Sequence, residues 1–322
     1  MADPKTPRFL QTWFADAESE RAAARAALLG DRPSVAPKFF YDRLGSHLFE
    51  AITELPEYYP TRTEAAIFAT DGAAIAAAVG SAMALVDLGA GNCAKAARLF
   101  PLLEPSRYVA VDISVEFLRE ALRRIQREHP QMTIAGLGQD FSAALDVPAE
   151  LLEADRPVFF YPGSSIGNFT PDEALVFLRR VRSRAAGGGL LIGVDLVKPR
   201  AVLEAAYDDA LGVTAAFNRN ALAHLNRLIG SDFAPRQWRH VAFFDEAHAR
   251  IEMHLEASEA TRVSWPGGAR RFAAGERIHT ENSCKYTVER FATLLRDAGF
   301  DAPRHWTDAH GWFAVFWASA SP

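Results

Sequence analysis

Residues 87–94 read Asp-Leu-Gly-Ala-Gly-Asn-Cys-Ala, a run of small side chains between an apolar stretch and a helical one. Gly89 and Gly91 let a chain turn sharply and bring its backbone close to a ligand. Asp112 closes a second apolar stretch 23 residues after Gly89, the spacing at which a carboxylate accepts hydrogen bonds from ribose hydroxyls. Asp140-Phe141 follows a third stretch; there a carboxylate can take the adenine amino proton and a ring can cover the base. Together these residues suit a nucleotide-type cofactor. Gly89-x-Gly91-x-x-Ala94 also satisfies the dinucleotide fingerprint, so a nicotinamide cofactor stays open. Asp140-Phe141, and a final helix and strand pair after the fifth strand, favour S-adenosylmethionine.

The elements that must carry these residues alternate. Strands are expected at 84–88, 108–112, 133–136, 157–161 and 189–196, with helices at 94–103, 115–128 and 171–185. Short apolar strands separated by helices predict a parallel sheet covered on both faces. Residues 1–30 read as helical with Gly30 as the stop, 39–63 as an aromatic-rich and turn-rich segment, and 64–79 as helical. Between about 198 and 284 the alternation lapses into a helical stretch (201–229) and strands at 250–255 and 260–264. It returns with a helix at 287–298 and strands at Trp306 and 313–317.

The fold class expected is α/β: a Rossmann-like sheet with a second, α+β domain formed by the N-terminal segment and an insertion. Residues 1–62 and 197–286 are expected to form the substrate-binding domain, and 63–196 with 287–322 the cofactor-binding one. Composition agrees with a globular chain: 322 residues, 49% hydrophobic and 23% charged. A net charge of −5 argues against a nucleic-acid binder, which normally carries a basic face. Two distant cysteines, Cys93 and Cys284, make no disulfide framework, and the histidines lack metal-ligand spacing, so no metal is expected. Without an apolar leader or a spanning run, the location expected is cytoplasmic, with no membrane or obligate protein partner.

Longer strings carry a resemblance. Residues Phe40-Tyr41-Asp42-Arg43-Leu44-Gly45-Ser46-His47-Leu48-Phe49 and Leu55-Pro56-Glu57-Tyr58-Tyr59-Pro60-Thr61-Arg62-Thr63-Glu64 are similar to those of the L-histidine Nα-methyltransferases of ergothioneine biosynthesis. So are Gly163-Ser164-Ser165-Ile166-Gly167-Asn168, Asp195-Leu196-Val197-Lys198, the run from Ala206 to Asn220, Ile251-Glu252-Met253 and Thr280-Glu281-Asn282-Ser283-Cys284-Lys285. The likeness runs from about residue 37 to 300. It departs at Ala90 and Asn92, where Ser and Thr are expected, at Asp87 in place of Glu, and in the 304–322 tail.

The resemblance implies S-adenosyl-L-methionine as cofactor, held by Gly89, Lys95, Asp112, Asp140 and Phe141. It implies L-histidine as substrate, bound where the two domains meet. Tyr58, Asn168 and Tyr207 would take its α-carboxylate and amine, with Gly163 alongside. Tyr41 and Asn168 are the catalytic candidates; a tyrosine ring can hold an amine that becomes quaternary. Glu281 and Ser283 would read the imidazole, pointing the same way from an extended segment, with Met253 as an apolar wall. Tyr59 is expected to be structural, and Asp208-Asp209 a solvated face or a domain contact. The product implied is hercynine, the trimethylated histidine. Alternatives are another aromatic amine as acceptor, a nicotinamide-dependent oxidoreductase, and a module that binds S-adenosylmethionine without turnover.

Overall fold

The computed structural model describes residues 5–12, 17–81, 83–142, 144–153 and 155–321. The helical reading of residues 1–30 falls partly on 1–4 and 13–16, outside the described residues. Its described part holds a strand, β1 (Arg8–Gln11), and a helix, α1 (Ala17–Leu29). The aromatic-rich segment contains an unforeseen helix, α2 (Arg43–Thr53), capped by the Asp42 carboxylate, which accepts from Gly45 N at 2.7 Å. Helix α3 (Tyr59–Val79) follows.

The alternation then unfolds as β2 (Met83–Leu88), α4 (Ala94–Leu103), β3 (Arg107–Asp112), α5 (Val115–Glu128) and β4 (Thr133–Gly138). Next come α6 (Ala149–Leu152), β5 (Arg156–Tyr161), α7 (Pro171–Arg184) and β6 (Gly189–Asp195). α5 buries Leu118, Ala121, Leu122 and Ile125, one stripe at helical spacing. α7 begins with a capping box in which Thr170 and Glu173 satisfy each other's backbone N–H groups.

The stretch expected as one helix at 201–229 is two, α8 (Arg200–Ala205) and α9 (Val213–Ile229). Asp209 causes the break. Its carboxylate accepts from Val213 N at 2.9 Å and Thr214 N at 2.7 Å, capping α9. Asp209 is buried, so the reading of it as a solvated face is corrected. Burial works to raise its pKa, but these backbone donors hold it below the usual carboxylate value. Strands β7 (Trp238–Asp245), β8 (Arg250–Ala257), β9 (Thr261–Trp265), β10 (Gly268–Phe272) and β11 (Arg277–Cys284) come next. The chain closes with α10 (Val288–Asp297), β12 (Arg304–Thr307) and β13 (Phe313–Ser319).

The chain divides into two compact units. The first comprises Met1–Phe14, Pro60–Val197 and Tyr286–Pro322; the second Ala15–Tyr59 and Lys198–Lys285. The first unit has a sheet ordered β1-β4-β3-β2-β5-β6-β13-β12. Its strands are parallel from β1 to β6; β13 pairs antiparallel with β6, and β12 pairs antiparallel with β13. β1 pairs in parallel with β4, so Arg8–Gln11 lie in this unit, whereas 1–62 as a whole was expected in the other. β2, β3 and β6 are buried along their whole length, which is why they read as apolar runs. The chain's direction of winding reverses between β2 and β5, and ligands of such sheets sit at the carboxyl ends of the strands there.

The second unit contains a three-stranded antiparallel sheet, β11-β8-β7, and the hairpin β9-β10. β8 alternates, burying Ile251, Met253, Leu255 and Ala257 on one face. The register of β11 slips between His279 and Glu281, setting Glu281 opposite Met253 and Ser283 opposite Ile251. Without that bulge, strict alternation from Ile278 would turn Thr280 and Asn282 to this face instead.

Candidate active site

In the first unit, the turn after β2 places Gly89 at φ +70° and Gly91 at φ +52°, a region that favours glycine. A Cβ on Gly89 would lie 3.6 Å from the Phe141 ring, so ring and turn already face each other across a narrow gap. Asp112 is fixed at the end of β3 by Gly91 N and Ser114 N, each donating at 2.8 Å to a different carboxylate oxygen. Burial lifts its pKa above the ordinary value, and the backbone donors pull it back. A carboxylate oxygen accepts more than one hydrogen bond, so this geometry leaves capacity for hydroxyl donors. Asn92, one of the departures, serves the turn: its Oδ1 accepts from Ala94 N at 3.0 Å. Asp140 accepts from Ser142 N at 3.1 Å and Ser142 Oγ at 2.5 Å. Arg180 on α7 braces this loop, donating to the carbonyls of Phe141 at 3.4 Å and Ser142 at 2.7 Å.

Lys95 stands in the first turn of α4, where a helix disfavours a cation. Glu64 resolves the conflict. Lys95 Nζ donates to Glu64 Oε2 at 2.8 Å, and Gly163 N donates to Glu64 Oε1 at 2.8 Å. Two glycines make the room: a Cβ on Gly163 would lie 2.7 Å from Lys95 Nζ, and one on Gly193 2.0 Å from Glu64 Oε1. Asn168 ends the short 3-10 turn Ser165–Asn168 and is half-buried. The glycine turn, the anchored Asp112, the facing Phe141 and the lysine fit an adenosyl cofactor bearing a carboxylate.

Beneath the turn, Asp87 accepts from the Tyr108 hydroxyl at 2.7 Å. Its Oδ1 is buried with no hydrogen-bond partner among the described residues. Burial raises its pKa to about 7, and the adjacent Cys93 thiol is pushed up by the same cause.

In the second unit, Tyr41 lies edge-on to Phe49 and Phe217, with ring centroids 5.7 Å away in both cases. Tyr58 meets Phe49 edge-on at 6.1 Å. Phe49 and Phe217 therefore join the two predicted tyrosines into one aromatic group. Tyr59 is buried, and its hydroxyl accepts from Lys198 Nζ at 2.9 Å.

Ser283, Met253 and Glu281 stand on the sheet, and Tyr207, in the turn after α8, reaches Ser283. The Tyr207 hydroxyl and Ser283 Oγ are 2.7 Å apart. Met253 is the cross-strand partner of Glu281. Glu281 is 9% exposed, and burial raises its pKa to about 7 while Lys285 opposes the shift. Tyr207 is set by its own backbone: its carbonyl accepts from His240 Nε2 at 2.8 Å, and Asn218 holds the other ring nitrogen at 2.8 Å. Sequence reasoning missed Glu64, Arg180, Phe49, Phe217 and Lys285 as parts of these groups. All except Arg180 stand inside or beside the quoted strings, but the strings do not show who partners whom.

The family model described as histidine-specific methyltransferase, SAM-dependent, matches residues 20–320. The histidine N-alpha-methyltransferase of Mycolicibacterium smegmatis is 41% identical over 306 residues, covering 93% of this chain and 94% of that protein. That of Mycobacterium tuberculosis is 40% identical, covering 88% of this chain and 89% of its own. The ergothioneine biosynthesis protein 1 of Neurospora crassa is 29% identical over 86% of this chain, which spans 32% of that longer protein.

Proposed function

The chain belongs to the family of histidine-specific, SAM-dependent methyltransferases, and on that premise we propose that it trimethylates the α-nitrogen of L-histidine to give hercynine in ergothioneine biosynthesis. The observation that carries the choice of substrate is the bulge in β11, which sets the buried Glu281 opposite Met253 with Ser283 two residues on. A carboxylate accepts one ring N–H, a hydroxyl serves the other ring nitrogen, and a thioether supplies an apolar wall. A phenyl or indole ring leaves a buried polar group unpaired, at about 1–3 kcal/mol each. This is the argument against another aromatic amine as acceptor.

Gly89, Lys95, Asp112, Asp140 and Phe141 are the residues proposed to hold S-adenosylmethionine. When bound, it supplies a methyl group already activated on a sulfonium. The protein's tasks are then to orient the amine, exclude water and accommodate lost protons. The nucleophile is the neutral amine, so the α-ammonium gives up a proton before the first transfer, and the methylated amine gives up another before each later one. Tyr58, Asn168 and Tyr207 are proposed to orient the amine and α-carboxylate, with Gly163 leaving the space beside Lys95. Tyr41, within its aromatic group, offers a ring face to the nitrogen as it becomes quaternary.

The proposal is tested by incubating the protein with S-adenosylmethionine and each proteinogenic amino acid, read by mass spectrometry. Histidine alone should gain three successive methyl increments. Gain on tryptophan or tyrosine with none on histidine overturns the substrate assignment.

A further inference from the structure

Lys285 is a buried ammonium, 2% exposed, that the reading above leaves without a task. Its Nζ donates to Ser283 Oγ at 2.7 Å and to the Tyr207 hydroxyl at 3.1 Å, and it lies 4.8 Å from the Tyr207 ring centroid. Its backbone is pinned as well, with Lys285 N donating to Ala249 O at 2.7 Å. Residues 281, 283 and 285 alternate along one extended segment and share a side.

The chemistry of the donors restricts what this trio can do. An ammonium donates and never accepts, so both hydroxyl oxygens act as acceptors toward Lys285. The 2.7 Å contact between Tyr207 and Ser283 uses one of their two hydroxyl protons. The second proton cannot be accepted by the ammonium, nor returned to the hydroxyl that already donates the first. Were position 285 neutral, either hydroxyl could turn and accept instead.

We propose that Lys285 is a positioning residue that fixes the Tyr207–Ser283 pair as a hydrogen-bond donor toward the substrate. It thereby selects a side chain with one unprotonated ring nitrogen for Ser283 and one N–H for Glu281. The inference rests on the reading that Ser283 and Glu281 meet the substrate ring. The same positive charge also favours the ionised form of Glu281, the form that accepts.

The test is a double-mutant cycle. Lys285→Met is made in the wild-type chain and in Ser283→Ala, and KM for L-histidine, kcat, KM for S-adenosylmethionine and melting temperature are measured. In the wild-type chain the substitution should raise KM for histidine about tenfold, with KM for the cofactor unchanged. In the Ser283→Ala background it should raise KM by less than about threefold, because the group it positions is gone. Lys285→Arg, which also only donates, should recover part of the loss. Lys285→Gln, which can donate or accept, gives the same comparison if the methionine variant does not fold. An equal penalty in both backgrounds, or an unchanged KM, overturns the proposal. Wild-type protein that leaves L-histidine unmethylated overturns the functional reading instead.

Discussion

Glu281 shows how a residue acquires a task from its surroundings. A carboxylate in a polar stretch of sequence reads as a surface group, yet a bulge at His279/Glu281 turns it onto the buried face beside Met253. Glu281→Gln keeps the volume and loses the charged acceptor. It should raise KM for L-histidine about tenfold to a hundredfold, the worth of a hydrogen bond to a charged group, and leave KM for S-adenosylmethionine in place. Steady-state kinetics with each substrate varied checks this; an effect confined to the cofactor KM contradicts it. The residue types of the site were legible because they lie in distinctive strings. Partnerships such as Glu64 with Lys95, and Lys285 with Tyr207 and Ser283, were not, because they join positions far apart in sequence.

At the scale of elements, what the sequence revealed followed burial. β2, β3, β5 and β6 were legible as apolar runs because both faces of their sheet are covered. β1 is four residues at a sheet edge and was missed as a strand; β11 reads RIHTENSC, carries no apolar pattern, and was legible only as the extended segment that bears Glu281 and Ser283. α2 was hidden among aromatic and turn residues, although its start is tightly specified. Asp42 caps Gly45 N and accepts from Asn220 Nδ2 at 2.7 Å, and Arg227 also bonds to it. A Cβ on Gly45 would sit 1.6 Å from the Phe40 carbonyl oxygen. Much of the Phe40–Phe49 string is thus required for folding rather than for chemistry. Gly45→Ala should destabilise the protein by at least about 1–3 kcal/mol, as overpacking against rigid backbone does, measured by urea unfolding. A stability equal to wild type would show that α2 can shift freely.

For the whole molecule, two buried carboxyl groups make stability depend on pH in an unusual direction. Asp87 moves from 3.8 to about 7 and Glu281 from 4.5 to about 7. Between those values the folded protein holds protons that the unfolded chain has released. Their own contribution to stability therefore falls as pH rises through this window and levels off above about 7, while His240 and His254, whose pKa values burial lowers, contribute in the opposite sense. Each group contributes at most about 1.4 kcal/mol per pH unit. Denaturant titrations across the window isolate it by difference: Asp87→Asn or Glu281→Gln should each gain stability relative to wild type as pH rises, and a difference that stays constant or moves the other way contradicts the burial account. The division into two units was legible where the strand–helix alternation lapses near residue 198, but the return of β1 to the first sheet was not. In this mechanism the methyl groups arrive on the α-nitrogen while the imidazole is only recognised. Nuclear magnetic resonance of the product made with methyl-labelled S-adenosylmethionine separates the two positions: one trimethylammonium signal with an unlabelled ring is expected, and label on an imidazole nitrogen would overturn it.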